Sequence, residues 1–551
     1  MASGSTTQRV KLPGSEHLVP TGARLVRKMS PGRWMEVTVG VRRASSLPDL
    51  SALDAVPPAQ RQYMTREQLS TQYGSDPAAV QAIEAFAQEH HLVVMQNAPA
   101  SASLTLGGMV TDMSAAFGVT LFDFTQPELG DFHARTGPVY LPPGVADAMT
   151  GVFGLNNHRI LTRKRGRTFP RTAQKVQTRG FAPGDLAMLY QFPDYQPASG
   201  TVPCIGILEF GGGVSDADVT AFFKAVHVLP PIVKVIAVNN VSTDPAADPD
   251  STGEVMLDID VAGALIPQGT LAVYFSTFDE KGLVDALSAV LQDSANDPAV
   301  LSISWGWAEN QAFNNSGITW SAGAIAQCNN SFLAIAHLGI TVCVATGDDG
   351  SEAEIQDGMA HVNFPASSPY VLAVGGTTLH SQSAAGGLTR VAEVVWNDGP
   401  GNGTGGGVSD ITPMPIWQQG KVLVSINPGH FAGRAIPDVA ADADPATGYL
   451  TVSGGQQEIV GGTSAAAPLW AGLITRINTQ LGARVGNFNA LLYSSIGPAG
   501  VLFDITTGNN DTGGLLDGQY QAGPGWDACT GWGTPDGQKL LAALRQPPAP
   551  P

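Results

Sequence analysis

The sequence predicts a doubly wound, mostly parallel α/β sheet over residues 179–551, preceded by an α+β unit over residues 35–160. Three observations predict it. From about residue 200, short continuous apolar segments recur with amphipathic stretches between them, the pattern of strands buried on both faces. Before that point, one alternating segment is followed by a helical stretch and a second strand-like run. The charge also changes sign along the chain: residues 1–175 hold 18 Lys and Arg against 13 Asp and Glu, and residues 176–551 hold 11 against 34.

In the first unit, Trp34–Val41 alternates as a strand, Pro77 to His91 has helical spacing and Leu92–Met95 reads as the next strand. A second helical pattern closes at Ala116–Val119, and the unit ends with Val145 to Gly154. Strand-helix-strand order of this kind suits a ferredoxin-like sandwich. Residues 1–34 read as an extension and 161–178 as a linker and processing region. In the second unit the buried strands are Ile205–Leu208, Val233–Val238, Thr270–Phe275, Val300–Ser304 and Ile340–Ala345. Leu283 to Gln292 and Ala322 to His337 are amphipathic between them, so helices cover the sheet and ligands belong at the carboxyl ends of its strands.

Charged residues are 14% of 551, with 65 glycines and 39 prolines, a loop-rich globular composition rather than a disordered one. The net charge of −18 argues against nucleic acid as a partner. The basic run Arg163–Arg167 lies where the linker falls, which favours a processing site or solvated linker over a nucleic-acid patch. Cys204, Cys328, Cys343 and Cys529 are widely spaced with no CxxC, so buried free thiols are expected. Met1–Gln8 has no apolar core of a signal peptide, and no apolar run approaches 18 residues, so no membrane association is expected.

The run Gly461-Gly462-Thr463-Ser464-Ala465-Ala466-Ala467-Pro468 sets a small hydroxyl on a tight glycine turn before an apolar helix. Ser464 is a candidate nucleophile; the alternative is that Thr463 or Ser464 caps the helix. A Ser-His-Asp site needs a histidine, yet none lies between His227 and His337, where the base of such a site is expected. That interval carries Glu254 and Asp258 instead, at i and i+4 on one helix face. Like charges so placed do not stabilise a helix, and Val255, Leu257, Ile259 and Val261 make the surroundings apolar; a solvated acidic face is the competing reading. Thr346-Gly347-Asp348-Asp349-Gly350 is either an Asp-Gly turn or part of a site. Ser304-Trp305-Gly306 and Gly403–Ser409, with Gly405 and Gly406, are candidate backbone walls of a peptide cleft in which an extended substrate adds as a strand.

These motifs together resemble the sedolisins, the serine-carboxyl peptidases, and among them the kumamolisin-like members. The resemblance rests on Gly253-Glu254-x-x-x-Asp258, Thr346–Gly350 and Gly462-Thr463-Ser464-x-x-x-Pro468 in that order, and covers most of the chain. It implies a subtilisin-like fold and a serine endopeptidase with Ser464 as nucleophile, Glu254 as general base, Asp258 orienting Glu254, and Asp348 in the oxyanion hole. Glu209 and Trp305 would support them. The N-terminal unit would be the propeptide, an intramolecular inhibitor and folding aid in an extracellular, monomeric zymogen whose other partners are peptide and protein substrates. One structural calcium ion is implied at Asp504 and Asp527 with the Ile505, Gly523 and Gly525 carbonyls; hard cations select such oxygen donors. Where kumamolisin-like proteins can carry Asp, this chain has Asn363, so a preference for basic side chains in that pocket is not implied.

The chemistry explains why a carboxyl replaces histidine. An imidazole of ordinary pKa is roughly 300 to one protonated at pH 4 and cannot accept the serine proton, whereas a carboxylate can. Two adjacent carboxyls titrate as a pair and hold a proton between them. Asp348 must be protonated to donate to an oxyanion. Activity in acid that falls toward neutrality is the expectation. A catalytically silent binding protein of this fold, or a neutral peptidase using His361 or His227, would be the alternatives.

Overall fold

The five apolar segments expected as buried strands all lie in one eight-stranded sheet; four are buried, while the one at Ile232–Ala237 is an edge strand with its residues exposed or half-buried. The computed structural model describes residues 9–127, 129–163, 180–309, 318, 320–353, 355, 357–384 and 387–546.

The N-terminal unit is built from β1 (Trp34–Val41), α1 (Pro77–Glu89), β2 (Val93–Ala98), β3 (Ser103–Met109), α2 (Val110–Phe117) and β4 (Met149–Phe153). Its antiparallel sheet has the order β2-β3-β1-β4, the ferredoxin-like arrangement. Asp76 caps α1 by accepting from the Ala78 N–H, and Ile83, Phe86 and Phe117 pack on Val37, Val39 and Leu104. Residues before Trp34, expected as a separate extension, also belong here. Val10–Lys11 and Arg24–Lys28 pair with Tyr140–Leu141 and Phe122–Gln126, and Leu12 and Met29 enter the same core. Two isolated buried residues, each just after a short exposed strand, leave too little pattern to read in sequence. Of the expected linker, 164–179 lies outside the described residues. Thr162–Arg163, β5, is the last described piece before it.

In the second unit β6 (Cys204–Phe210), β7 (Ile232–Ala237), α3 (Pro249–Leu265), β8 (Thr270–Ser276), α4 (Glu280–Gln292), β9 (Val300–Ile303), β10 (Trp305–Ala308), α5 (Ala322–His337), β11 (Thr341–Ala345), β12 (Leu372–Ala384), β13 (Gly387–Val395), β14 (Gly407–Pro413), β15 (Val439–Asp442) and α6 (Thr463–Leu481) follow in turn. The main sheet has the order β7-β8-β6-β9-β11-β12-β13, with β15 beside β12; every pairing is parallel except β12 with β13. The first strand, β6, therefore sits between the third and fourth, and the crevice at that reversal opens at the carboxyl ends. α3 and α6 are buried along most of their length and cross closely: a Cβ on Gly472 would come within 2.4 Å of the Leu265 side chain.

The two units meet where Leu69, Ala100 and Phe153 of the first join the apolar core of the second, and through polar contacts on α4, α5 and the loop after α4. Thr38 donates to Asp285 at 2.7 Å, Gln327 to the Ser101 carbonyl at 3.1 Å, and Arg66 pairs with Asp297. The four cysteines are buried and free. Among the described residues no helix is long and apolar enough to cross a membrane.

Candidate active site

Ser464 stands at the second residue of α6, and neither it nor Thr463 caps that helix. The N-cap is Gly462, with φ of 115°, a value L side chains rarely adopt. Four residues further on, Pro468 has no N–H, so the helical bond that would run to the Ser464 carbonyl cannot form. The Ser304 hydroxyl, just beyond β9, lies 3.3 Å from that carbonyl, while the Ser464 hydroxyl lies 3.4 Å from the Ser304 carbonyl.

The same Ser304 hydroxyl lies 2.9 and 2.8 Å from the two carboxyl oxygens of Asp258. Asp258 and Glu254 occupy one face of α3 and both are buried, which excludes the solvated acidic face. Glu209, near the end of β6, accepts the Trp305 indole N–H at 2.9 Å. Burial pushes Asp258 well above the ordinary aspartate range, and the charges of Glu209 and Glu254 push it further; the Ser304 hydrogen bond opposes both. Glu209 is likewise raised by burial and by Glu254, against the Trp305 bond. Three carboxyls thus share one dry pocket in which protonated forms are favoured.

Asp348 approaches from the other side, on the loop after β11. Its Oδ1 accepts both the Thr463 N–H and the Thr463 hydroxyl at 2.8 Å, and that hydroxyl accepts the Gly347 N–H at 3.0 Å. Thr463 therefore locks Asp348 beside Ser464, whereas the sequence offers Thr463 only as a helix cap. The loop carrying Gly405 and Gly406 is strapped to this one: the Gly403 N–H donates to the Asp348 carbonyl at 2.8 Å and the Gly405 N–H to the Gly347 carbonyl at 2.7 Å. A Cβ on Gly406 would meet the Ala528 carbonyl at 2.1 Å, so close packing already demands glycine there. Asn363 is buried and donates to the Thr346 carbonyl at 2.9 Å.

Gly306 lies on β10, where Thr162 and Arg163 of β5 pair antiparallel with Gly306 and Trp305. The end of the N-terminal unit therefore forms a strand on the edge expected to receive a substrate. His361 is bound to Asp357 at 3.0 Å, and His227 follows the helix Asp216–Ala225. At the C-terminal side, Gly525 N–H donates to Asp504 at 2.8 Å, which brings the two expected calcium loops together, and within the second loop Gly523 N–H donates to Asp527 at 3.2 Å. Among the described residues no group of three or more His, Cys, Asp or Glu side chains converges as a metal site, so a cation here would depend on two carboxylates and on carbonyls.

Two family models match the chain. Residues 21–158 match the Pro-kumamolisin activation domain and residues 247–532 the subtilase family. Kumamolisin of Bacillus sp. (strain MN-32) is 42% identical over 499 residues, covering 89% of this chain and 87% of that protein. The chain belongs to the sedolisin family. Sedolisin of Pseudomonas sp. (strain 101) is 32% identical over 508 residues, 88% of this chain and 82% of that protein. The solved structure of Pseudomonas sedolisin, a serine-carboxyl proteinase complexed with two molecules of pseudo-iodotyrostatin, matches with TM-score 0.56 and 31% identity over 67% of this chain and 99% of the other. This sedolisin is accordingly a serine peptidase, a hydrolase carrying its own activation propeptide.

Proposed function

We propose that this sedolisin is an extracellular, monomeric, acid-active endopeptidase that cleaves peptide bonds through an acyl-enzyme on Ser464. The observation that carries this reading is the buried carboxyl group of three, Glu209, Glu254 and Asp258, with Asp258 and Glu209 both raised. Glu254 takes the Ser464 proton as Oγ bonds to the scissile carbonyl carbon, then gives it to the leaving amine; water reverses the sequence in deacylation. Asp258, one turn away on α3, holds the neighbouring proton that keeps a second charge out of the pocket. With Asp348 Oδ1 committed to Thr463, donation to the oxyanion falls to a protonated Oδ2. The substrate lies as an added strand on Gly306, the edge that β5 takes in the zymogen.

Acid also loosens the propeptide. Burial pushes His158 down to about 3, with the neighbouring His17 and His133 rings adding to that and Glu280 opposing it. A histidine buried neutral favours the closed form fully above about pH 6.5, and that contribution is lost at roughly 1.4 kcal/mol per pH unit as the pH falls toward the depressed value. At the Arg66 contact, Arg66 and Arg484 overcome burial to hold Asp297 below its ordinary range, so that ion pair is lost as acid protonates it.

One calcium ion is proposed at Asp504, Asp527 and the Ile505, Gly523 and Gly525 carbonyls, where it would tie two C-terminal loops together. The all-oxygen donor set fits a hard cation. A Ser464→Ala protein, held at pH 4 without added protease, should keep its propeptide while the parent protein loses it, read by gel and N-terminal sequencing. Loss of the propeptide from the alanine variant would remove self-processing through Ser464.

A further inference from the structure

We propose that Glu309 is a positioning residue for peptide substrates: its buried carboxyl clamps the two walls of the cleft together in acid and releases them when it ionises. This rests on the reading of Gly306 and of Gly405 with Gly406 as those walls. Neither the sequence motifs nor the catalytic carboxyls single Glu309 out. It directly follows β10, the strand that carries Gly306, and is only 4% exposed.

Its contacts run to both sides of the cleft. Oε1 accepts the Ser409 hydroxyl and, at 3.1 Å, the Asp410 N–H, both on β14, the strand that continues from Gly405 and Gly406. The Glu309 N–H donates to the Val362 carbonyl at 2.9 Å, and Ala308 pairs with Asn363 in the same antiparallel register. Val362 lies against the other wall as well, since a Cβ on Gly407 would stand 3.2 Å from its side chain. The segment Val362–Phe364 is thus a floor between the walls, and Glu309 crosses it from β10 to β14. The Ser409 hydroxyl also accepts the Ile411 and Thr412 N–H groups at 3.1 and 2.7 Å, so the same contact fixes the bend where β14 shifts register against Gly433–Ile436.

The charge of Glu309 decides whether this clamp holds. Protonated, the carboxyl is neutral, still accepts through Oε1 and carries its proton on Oε2. Ionised, it is a buried charge beside the Asp410 carboxylate, its ionisable neighbour, and the site gains by opening to water. Asp410 is held in place by the Asn427 side-chain amide, which also bonds the Ala360 N–H and carbonyl. Burial pushes Glu309 up to about 7; the Ser367 and Ser409 hydroxyls and the Asp410 N–H oppose the rise, and the Asp410 charge adds to it. A carboxyl raised in the fold favours the closed arrangement below the ordinary value of 4.5 and loses that contribution as the pH rises through about 7.

The test measures kcat and KM separately on peptide substrates from pH 4 to 7.5 for the processed parent, Glu309→Gln and Glu309→Ala, with denaturant titrations of the same three proteins on the Ser464→Ala background. The parental KM should rise about twofold by pH 7 and about fourfold by pH 7.5 as Glu309 ionises. Glu309→Gln keeps an acceptor for Ser409 and Asp410 without a charge. It should match the parent at pH 4, hold its KM up to pH 7.5, and be the more stable of the two there. Glu309→Ala should raise KM about tenfold at pH 4 with kcat nearly unchanged; if it folds poorly, the glutamine variant still decides the matter. A parental KM that is flat across this range, or a loss in Glu309→Gln that falls on kcat and KM alike at every pH, would overturn the proposal. A stability gain in Glu309→Gln at pH 7.5 with KM unmoved would overturn it too, leaving a buried carboxyl with no hold on the cleft. A parent enzyme fastest near pH 8 would instead overturn the acid-peptidase reading, which the KM profiles do not measure, so the two failures are distinguishable.

Discussion

Asp258 and Asp438 are both fully buried in the same unit, and they have opposite neighbours. Asp438 faces Arg434, also fully buried, at 2.6 Å, and accepts from the Tyr493 hydroxyl at 2.9 Å and the Ala373 N–H at 2.8 Å. Asp258 has two carboxyls and a serine hydroxyl around it. Burial is common to both sites; the partner decides what burial does. A guanidinium gives a fixed ion pair that ties the entry to β15 to the strand Gly433–Ile436 and to β12, whereas carboxyl neighbours give a site that must hold protons and can therefore exchange them.

The comparison breaks most sharply in stability. Asp438→Asn leaves the Arg434 charge buried without its counterion and should cost about 3–5 kcal/mol. Asp258→Asn removes a carboxyl that is raised in the fold, so its effect should carry a pH signature. A raised carboxyl favours the folded state below the ordinary aspartate value and loses that contribution as the pH rises above about 4. The asparagine variant should match the parent near pH 4 and gain on it toward pH 7, in denaturant titrations on the Ser464→Ala background to prevent autolysis. An unchanged stability for Asp438→Asn, or a pH-independent offset for Asp258→Asn, would remove the contrast.

Asp348 is a third buried aspartate and sharpens the point, because its Oδ1 takes two donors from Thr463. Ala at this position should lower kcat by roughly 10²–10³-fold, the usual cost of an oxyanion donor. Asn keeps an acceptor for Thr463 and offers an N–H that needs no proton uptake. Asp348→Asn should therefore retain more activity than Asp348→Ala and lose less of it toward neutrality. Equal rates in the two variants at all pH values would show that Asp348 does not donate.

Much of this was legible in the chain. All five strands stand where their apolar segments fall, but the segment Val233–Val238, expected as buried, is the exposed edge strand β7, since apolar content alone does not tell an edge from a centre; α5 occupies Ala322–His337, and the four-residue spacing puts Glu254 and Asp258 on one face of α3. The missing histidine between His227 and His337 pointed to the carboxyls before any geometry was known. What stayed hidden depends on residues far apart in sequence. Ser304 meets Asp258 across 46 positions and Thr463 meets Asp348 across 115, contacts created by strand order rather than by local pattern. Thr463 in particular had a sufficient local explanation as a cap, and only the approach of the loop after β11 gives its hydroxyl another task. The strands at Val10–Lys11 and Arg24–Lys28 are illegible for a different reason, since every residue on them is exposed and the only nearby buried apolar residues, Leu12 and Met29, follow them, so no periodicity appears.

The most direct test of the central claim is the pH–rate profile of the processed protein on a denatured protein substrate, with Glu254→Gln measured beside it. A carboxyl base predicts a maximum in acid, a fall toward neutrality, and a loss of roughly 10²–10⁴-fold in the glutamine variant. A best rate at pH 8, or a Glu254→Gln enzyme as fast as its parent, would contradict it.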